Sequence, residues 1–299
     1  MKKYLFVLSA IVLFAFSGCK KIAGDPIDKV FTIEGSYTAL EVGDAFDVTV
    51  SNAVDAITVT AGENVMPNVV VEKVGNTLKI HLKPLATSYG SEMKVMLPYN
   101  EQLTSVNMSG ASEFHSEYGL DGQTVEVELS GASTFYCTIE ADEVDVQLSG
   151  ASDYFGEVTA TDVDIDLSGA SDFSGDITAT EIDMDLSGGS TIKSTVTATE
   201  LDLDLTGASD ATFMGQATLL KINLTGASNI AKTVAENRYG FACENVEGVM
   251  SGASSAYLHC DGNIKVNLSG ASDLHFTGEG NPADSSTSGG SNITHHVDP

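Results

Sequence analysis

The sequence predicts an all-β protein, a parallel β-helix of about ten regular rungs of ~19 residues preceded by irregular wider coils. Three observations predict it. A [Ser/Thr]-Gly-[Ala/Gly]-Ser tetrad starts at Ser109, Ser130, Ser149, Ser168, Ser187, Thr206, Thr225, Ser251, Ser269 and Ser288, at intervals of 21, 19, 19, 19, 19, 19, 26, 18 and 19 residues. Before the tetrads polar and apolar residues alternate, as in "DVDIDL" (162–167), "EIDMDL" (181–186) and "ELDLDL" (200–205), which is the period of a strand with one buried face. The composition agrees: the chain has no Trp and a single Arg, Arg238, and helix-forming Lys, Arg and Gln are scarce, so strands and turns are the default.

The first eighteen residues are set apart from the fold. "MKKYLFVLSAIVLFAFSGC" runs from two lysines through an apolar stretch to small residues, the order of an export signal. The apolar stretch is too short for a comfortable membrane span. Phe16-Ser17-Gly18-Cys19 resembles a bacterial lipobox, which implies a signal peptide over 1–18 and Cys19 as the lipidated first residue of the mature chain. Acyl chains on one Cys anchor a protein stably, and Lys20 after the Cys points to the outer membrane on either face. Residues 19–29 are expected to be a tether and 30–299 a single β-helix domain.

Within that domain, residues 30–108 lack the tetrad but keep the alternation in "AFDVTVS", "AITVTA", "TLKIHLK" and "EMKVMLP". They are the irregular coils, with a short helical turn expected at "ENVMPNVV". Residues 109–293 hold the regular rungs. Val125, Val144, Val163, Ile182, Leu201 and Leu220 fall at one position of the repeat, and Val127, Val146, Ile165, Met184, Leu203 and Ile222 at the next inward one. Leu129, Leu148, Leu167, Leu186, Leu205 and Leu224 immediately precede the tetrads, and Phe135, Tyr154, Phe173 and Ile192 follow them. Each column would run down the inside of the coil, because one rung cannot bury its own apolar face and needs its neighbours. A β-propeller would need blades of about 40 residues. The tetrad Gly supplies a backbone angle for a sharp corner, and the Ser and Thr hydroxyls are available for ladders between rungs. Ten identical serine nucleophiles make no catalytic sense. The tail, 294–299, ends the last rung with His295 and His296, a poor metal site by themselves.

These motifs reach a family. The tetrads, the "VDIDLSGASD" type of run and the leader "FTIEGSYTALEVGDAFDVTVSNAVDAITVTAGENVMPNVVVEKVGNTLKIHLKP" resemble the GIN-domain adhesins, also described as auto-transporter adhesin heads, from about Val30 to Thr277. Where members usually show Ser-Gly-Ser-Gly, this chain writes Ser-Gly-Ala-Ser. The resemblance implies a right-handed, pectin-lyase-like β-helix in an exported protein of Gram-negative bacteria and a role in adhesion. It implies no catalytic residues.

Charge sorts the remaining functions. The formal net charge is −28, which excludes nucleic acid, whose binding needs clustered Lys and Arg. A polysaccharide lyase needs cations to neutralise a uronate, and they are too few here. A carbohydrate-active hydrolase needs only paired carboxylates and is the alternative to a non-enzymatic adhesion or binding module. The acids form an outward grid: Glu143, Asp162, Glu181 and Glu200, then Asp145, Asp164, Asp183 and Asp202, then Gln147, Asp166, Asp185 and Asp204. One reading is a solvated face. The other is a weak Ca²⁺ array at Asp164, Asp166, Asp183, Asp185, Asp202 and Asp204, since hard cations take carboxylate oxygens. No other cofactor is expected. The 26-residue interval carries Arg238, Tyr239 and Phe241, the candidate projecting recognition loop for a glycan or protein surface ligand. Cys243 and Cys260 fall at nearby points of successive rungs, compatible with a disulfide or with two buried thiols.

Overall fold

The computed structural model describes residues 22–235 and 238–297. The expected export signal and the lipidation expected at Cys19 lie outside them. The described residues form two compact units, the first ending at Tyr118 and the second starting at Gly119. Among them no helix is long and apolar enough to cross a membrane.

The first unit contains β1 (Pro26–Phe31), β2 (Ala39–Val42), β3 (Phe46–Ser51), β4 (Ile57–Gly62), β5 (Val69–Val74), β6 (Thr77–Leu82), β7 (Met93–Pro98), β8 (Ser105–Met108) and β9 (Glu113–His115). β2 lies parallel between β6 and β8, with β5 antiparallel on β6. β3 lies parallel between β7 and β9, with β4 antiparallel on β7 and β1 antiparallel on β4. The irregularity expected of this region thus takes the form of antiparallel strands laid beside parallel steps. Gly75, at φ +63°, turns β5 back into β6. Pro26–Lys29, expected within the tether, are the start of β1, where Asp28 accepts a 2.6 Å hydrogen bond from the Thr60 hydroxyl. The helical turn expected at 63–70 is a 3-10 turn, Met66–Asn68.

The second unit is a parallel β-solenoid. One rung shows the plan: Asp162–Leu167, the tetrad turn, Asp172–Ser174, then Ile177–Thr178. Each piece pairs in parallel, in register, with its equivalent nineteen residues on, as Val163 with Ile182, Phe173 with Ile192 and Ile177 with Val196. Over Thr191–Leu205 and Asp210–Leu224 both short strands and the next long one merge into a single strand. The inward columns are buried throughout, from Val125 to Leu220 and from Leu129 to Leu224. Phe135, Tyr154 and Phe173 stack ring on ring, 5.2 and 4.5 Å between centroids. Burial pushes the Tyr154 phenol well up, and its hydroxyl reaches the Cys137 carbonyl at 3.4 Å.

The tetrad explains why the period stays fixed. Gly169 has φ +79°, and a Cβ there would lie 2.5 Å from the carbonyl oxygen of Gly150 below it, so a side chain is refused by both torsion and neighbour. The third residue's N–H bonds to that same glycine carbonyl, Ala170 to Gly150 at 2.8 Å. The hydroxyls divide the remaining work. The first one donates to the Leu carbonyl of the preceding rung, as Ser168 to Leu148 at 3.3 Å. The fourth is buried and closes its own turn, as Ser171 to the Ser168 carbonyl at 2.8 Å. The bond between rungs that the sequence suggests is thus made mainly by the first hydroxyl, with Ser254 to Ser272, at 3.3 Å, a fourth-position instance.

Candidate functional site

Strand register turns the outward residues of the second unit into straight columns. Glu143, Asp162, Glu181 and Glu200 are successive partners, as are Asp145, Asp164, Asp183 and Asp202, and Gln147, Asp166, Asp185 and Asp204. On the next rung the columns change character, ending at Leu219, Lys221 and Asn223. Lys221 forms an ion pair with Glu200. On the rung before the grid stand Thr124, Glu126 and Glu128.

In-register parallel strands lie ~4.8 Å apart, so like charges here repel. The carboxyls respond. Burial, then Asp166 and Asp145, raises Asp164 above the ordinary carboxylate range, and burial with Asp185 raises Asp166. Burial and Asp202 raise Asp183. Burial and Asp185 raise Asp204, against a hydrogen bond from Asn223. Beside the last column runs a groove of about 570 Å³, with Asp166, Asp185 and Asp204 on one side and Ser149, Ser168, Ser187 and Thr206 on the other. The serine and threonine hydroxyls spend their protons on the rung below and turn lone pairs outward. One oxygen of Asp204, Oδ1, is buried and accepts no hydrogen bond. The groove is a double row of acceptors. Sequence reasoning named the acids but missed the hydroxyl wall. Its signal was the tetrad's first position, directly after the inward Leu.

Other expectations are placed differently. Among the described residues no group of three or more His, Cys, Asp or Glu side chains is arranged to hold a metal ion. Asp164, Asp166, Asp183, Asp185, Asp202 and Asp204 project from a regular ladder and do not converge on a centre, as a Ca²⁺ shell of six to eight oxygens requires. The 26-residue interval does hold an extra antiparallel hairpin, Val234–Ala235 against Arg238–Tyr239. Its aromatic residues do not project, which corrects the recognition-loop expectation for them. Tyr239 is buried edge-on against Tyr257, 5.7 Å between centroids, with Lys232 Nζ 5.2 Å from its ring. Burial raises its phenol. Phe241 is buried and meets Phe213 at 5.7 Å; it continues the inward column of Ile177, Val196 and Gly215. The backbone of Arg238 lies in the hairpin strand. His296 is joined to the last rungs, 3.0 Å from His275 Nδ1. Burial and His296 lower His275.

Comparison with known proteins adds the family. Among curated proteins nothing matches this chain. Several solved structures are similar, three of them as follows. A "putative adhesin" of Parabacteroides distasonis is 17% identical over 92% of this chain and 94% of its own, with a TM-score of 0.49. A "Putative lipid binding protein" of the same organism is 18% identical over 91% and 97%, with a TM-score of 0.42. A "putative adhesin" of Parabacteroides merdae is 16% identical over 91% and 97%, with a TM-score of 0.43. The family described as "Putative auto-transporter adhesin, head GIN domain" matches residues 36–176 and again 172–280. The two matches run over the strands of both units, and the chain belongs to the auto-transporter adhesin head, GIN-domain family.

Proposed function

We propose that this chain is a non-enzymatic binding module, anchored in the outer membrane through a lipid on Cys19, and that the groove beside Asp166, Asp185 and Asp204 holds a linear glycan. Its family is one of adhesin heads, proteins of the cell envelope or surface. The groove is the observation that carries the reading. A row of carboxylates faces a row of hydroxyl lone pairs over successive rungs, so the ligand has to bring donors at a regular repeat. Sugar hydroxyls, and still better the ammonium groups of amino sugars, do that. Each contact is weak, and a polymer spanning several rungs adds them together.

A glycan array with the parent and an Asp166→Ala, Asp185→Ala, Asp204→Ala variant tests this. Charge-assisted bonds predict a loss of retention on the order of ten-fold or more, with melting unchanged or raised. Retention of protein ligands but no glycan, or full glycan retention by the variant, would defeat the assignment. The second reading, a polysaccharide hydrolase, draws on the raised carboxyls of Asp166 and Asp204, since a general acid needs a raised pKa. The acids recur down the ladder, whereas a hydrolase needs one pair in one cleft. Release of reducing ends from a bound glycan would favour it. For the anchor, Cys19→Ser is expected to move the protein from the outer-membrane pellet to the soluble fraction. Continued pelleting would argue against lipidation.

A further inference from the structure

The solenoid has one column of small residues at a corner. Ala198 pairs with Ala217, Ala217 with Cys243, and Cys243 with Cys260. Cysteine takes the place of alanine on two successive rungs, directly after the inserted hairpin that interrupts the repeat. Both side chains are buried. The Cys243 sulfur lies 3.6 Å from the carbonyl of His259 and the Cys260 sulfur 3.4 Å from that of Glu244, so each thiol leans over the other's strand. The two thiols are close enough to shift one another's ionisation. In-register partners on parallel strands have Cα atoms ~4.8 Å apart, inside the roughly 4.4–6.8 Å that a disulfide spans.

We propose that Cys243 and Cys260 are a dithiol that closes to a disulfide, a covalent clasp across the two rungs that follow the inserted hairpin. Oxidation comes from a small-molecule or protein disulfide, the ordinary exchange partner of an oxidising compartment. Cys243 lines a surface depression and meets the incoming disulfide first. Its thiolate attacks the incoming disulfide and releases one thiolate. Cys260 then gives up its proton and attacks the Cys243 sulfur of the mixed disulfide, releasing the second. Two thiols and one disulfide become one disulfide and two thiols. The depression, of about 310 Å³ and lined by Gln216, Cys243, Glu244, His259 and Asp261, brings solvent to Cys243, with Cys260 buried behind it. The third described cysteine, Cys137, lies in a different column, beside Gly156, and serves as the control.

The test equilibrates the folded full chain in oxidised glutathione, then unfolds and alkylates it without reduction. A peptide map is expected to show a Cys243–Cys260 cross-link and alkylated Cys137. The oxidised chain is expected to melt on the order of 5–10 °C above the reduced one. Cys243→Ala and Cys260→Ala, which restore the column's own residue, are expected to fold and to lose that difference, and Cys137→Ala to keep it. Full alkylation of both cysteines, a cross-link between two copies or to Cys137, or a redox shift that survives in the alanine variants would overturn the proposal.

Discussion

Gly188 and Gly189 are neighbours that answer a methyl group in opposite ways. Gly188 has φ +78°, and a Cβ on it would sit 2.6 Å from the Gly169 carbonyl oxygen. Gly189 has no such torsion, and its nearest neighbour would be 3.8 Å away. Every tetrad except those at Ser187 and Ser288 already carries Ala at that third position. Gly188→Ala is therefore expected to lose about 2 kcal/mol or more, from the left-handed torsion and a backbone clash that stacked strands cannot relieve. Gly189→Ala should gain about 0.4–1 kcal/mol by narrowing the unfolded ensemble. Urea denaturation midpoints of the two variants and the parent check both signs. A repeat array departs from two-state unfolding, so the comparison rests on midpoints within this set.

The strand is the scale at which the inside and outside of the coil are decided. Leu167 is buried under Leu186 and over Leu148, whereas its neighbour Asp166 lines the groove. Leu167→Asp puts an unpaired charge among leucines, an unfavourable transfer of several kcal/mol, and is expected to collapse the melting transition of the rungs around it. Asp166→Asn should leave melting unchanged or slightly raised, since it removes a repelled carboxylate. A Leu167→Asp protein that melts like the parent would refute the alternation. That alternation was legible in the sequence because period two and period nineteen reinforce one another, and every inward column named from spacing is buried. What was not legible follows from the same logic. Residues 30–108 repeat nothing, so the antiparallel β1, β4 and β5 look like any other alternating run. Tyr239 and Phe241 look like recognition residues because an aromatic side chain reads the same whether it projects or packs. Only the Val196–Gly215 column and Tyr257 reveal that they pack. The groove was half legible: acids announce themselves by charge, but the Ser and Thr on its other wall were accounted for as turn formers.

At the scale of the whole molecule charge is the dominant property, with 42 acidic residues against 14 basic ones. Asp164, Asp166, Asp183 and Asp204 hold protons in the folded chain at pH values where the unfolded chain has released them. Their contribution to stability is thus fully present below the ordinary carboxylate value of about 4 and is lost as pH rises through the raised folded values. Melting temperature should rise as pH falls through the raised folded values toward about 4, and an Asp164→Asn, Asp183→Asn variant should flatten that rise. A parent protein destabilised over the same interval would contradict the repulsion on which the grid argument depends. Salt provides the independent check. Diffuse screening weakens repulsion whatever the ion, whereas a bound metal stabilises the folded state in proportion to the logarithm of its concentration. Since the carboxylates stand in a ladder without converging, millimolar CaCl₂ and NaCl at matched ionic strength are expected to raise the melting temperature equally. The Asp164→Asn, Asp183→Asn, Asp185→Asn variant should respond less to both. A Ca²⁺ shift larger than the NaCl shift, abolished in that variant, would instead make the grid a metal array and would require the carboxylates to move toward one another on binding.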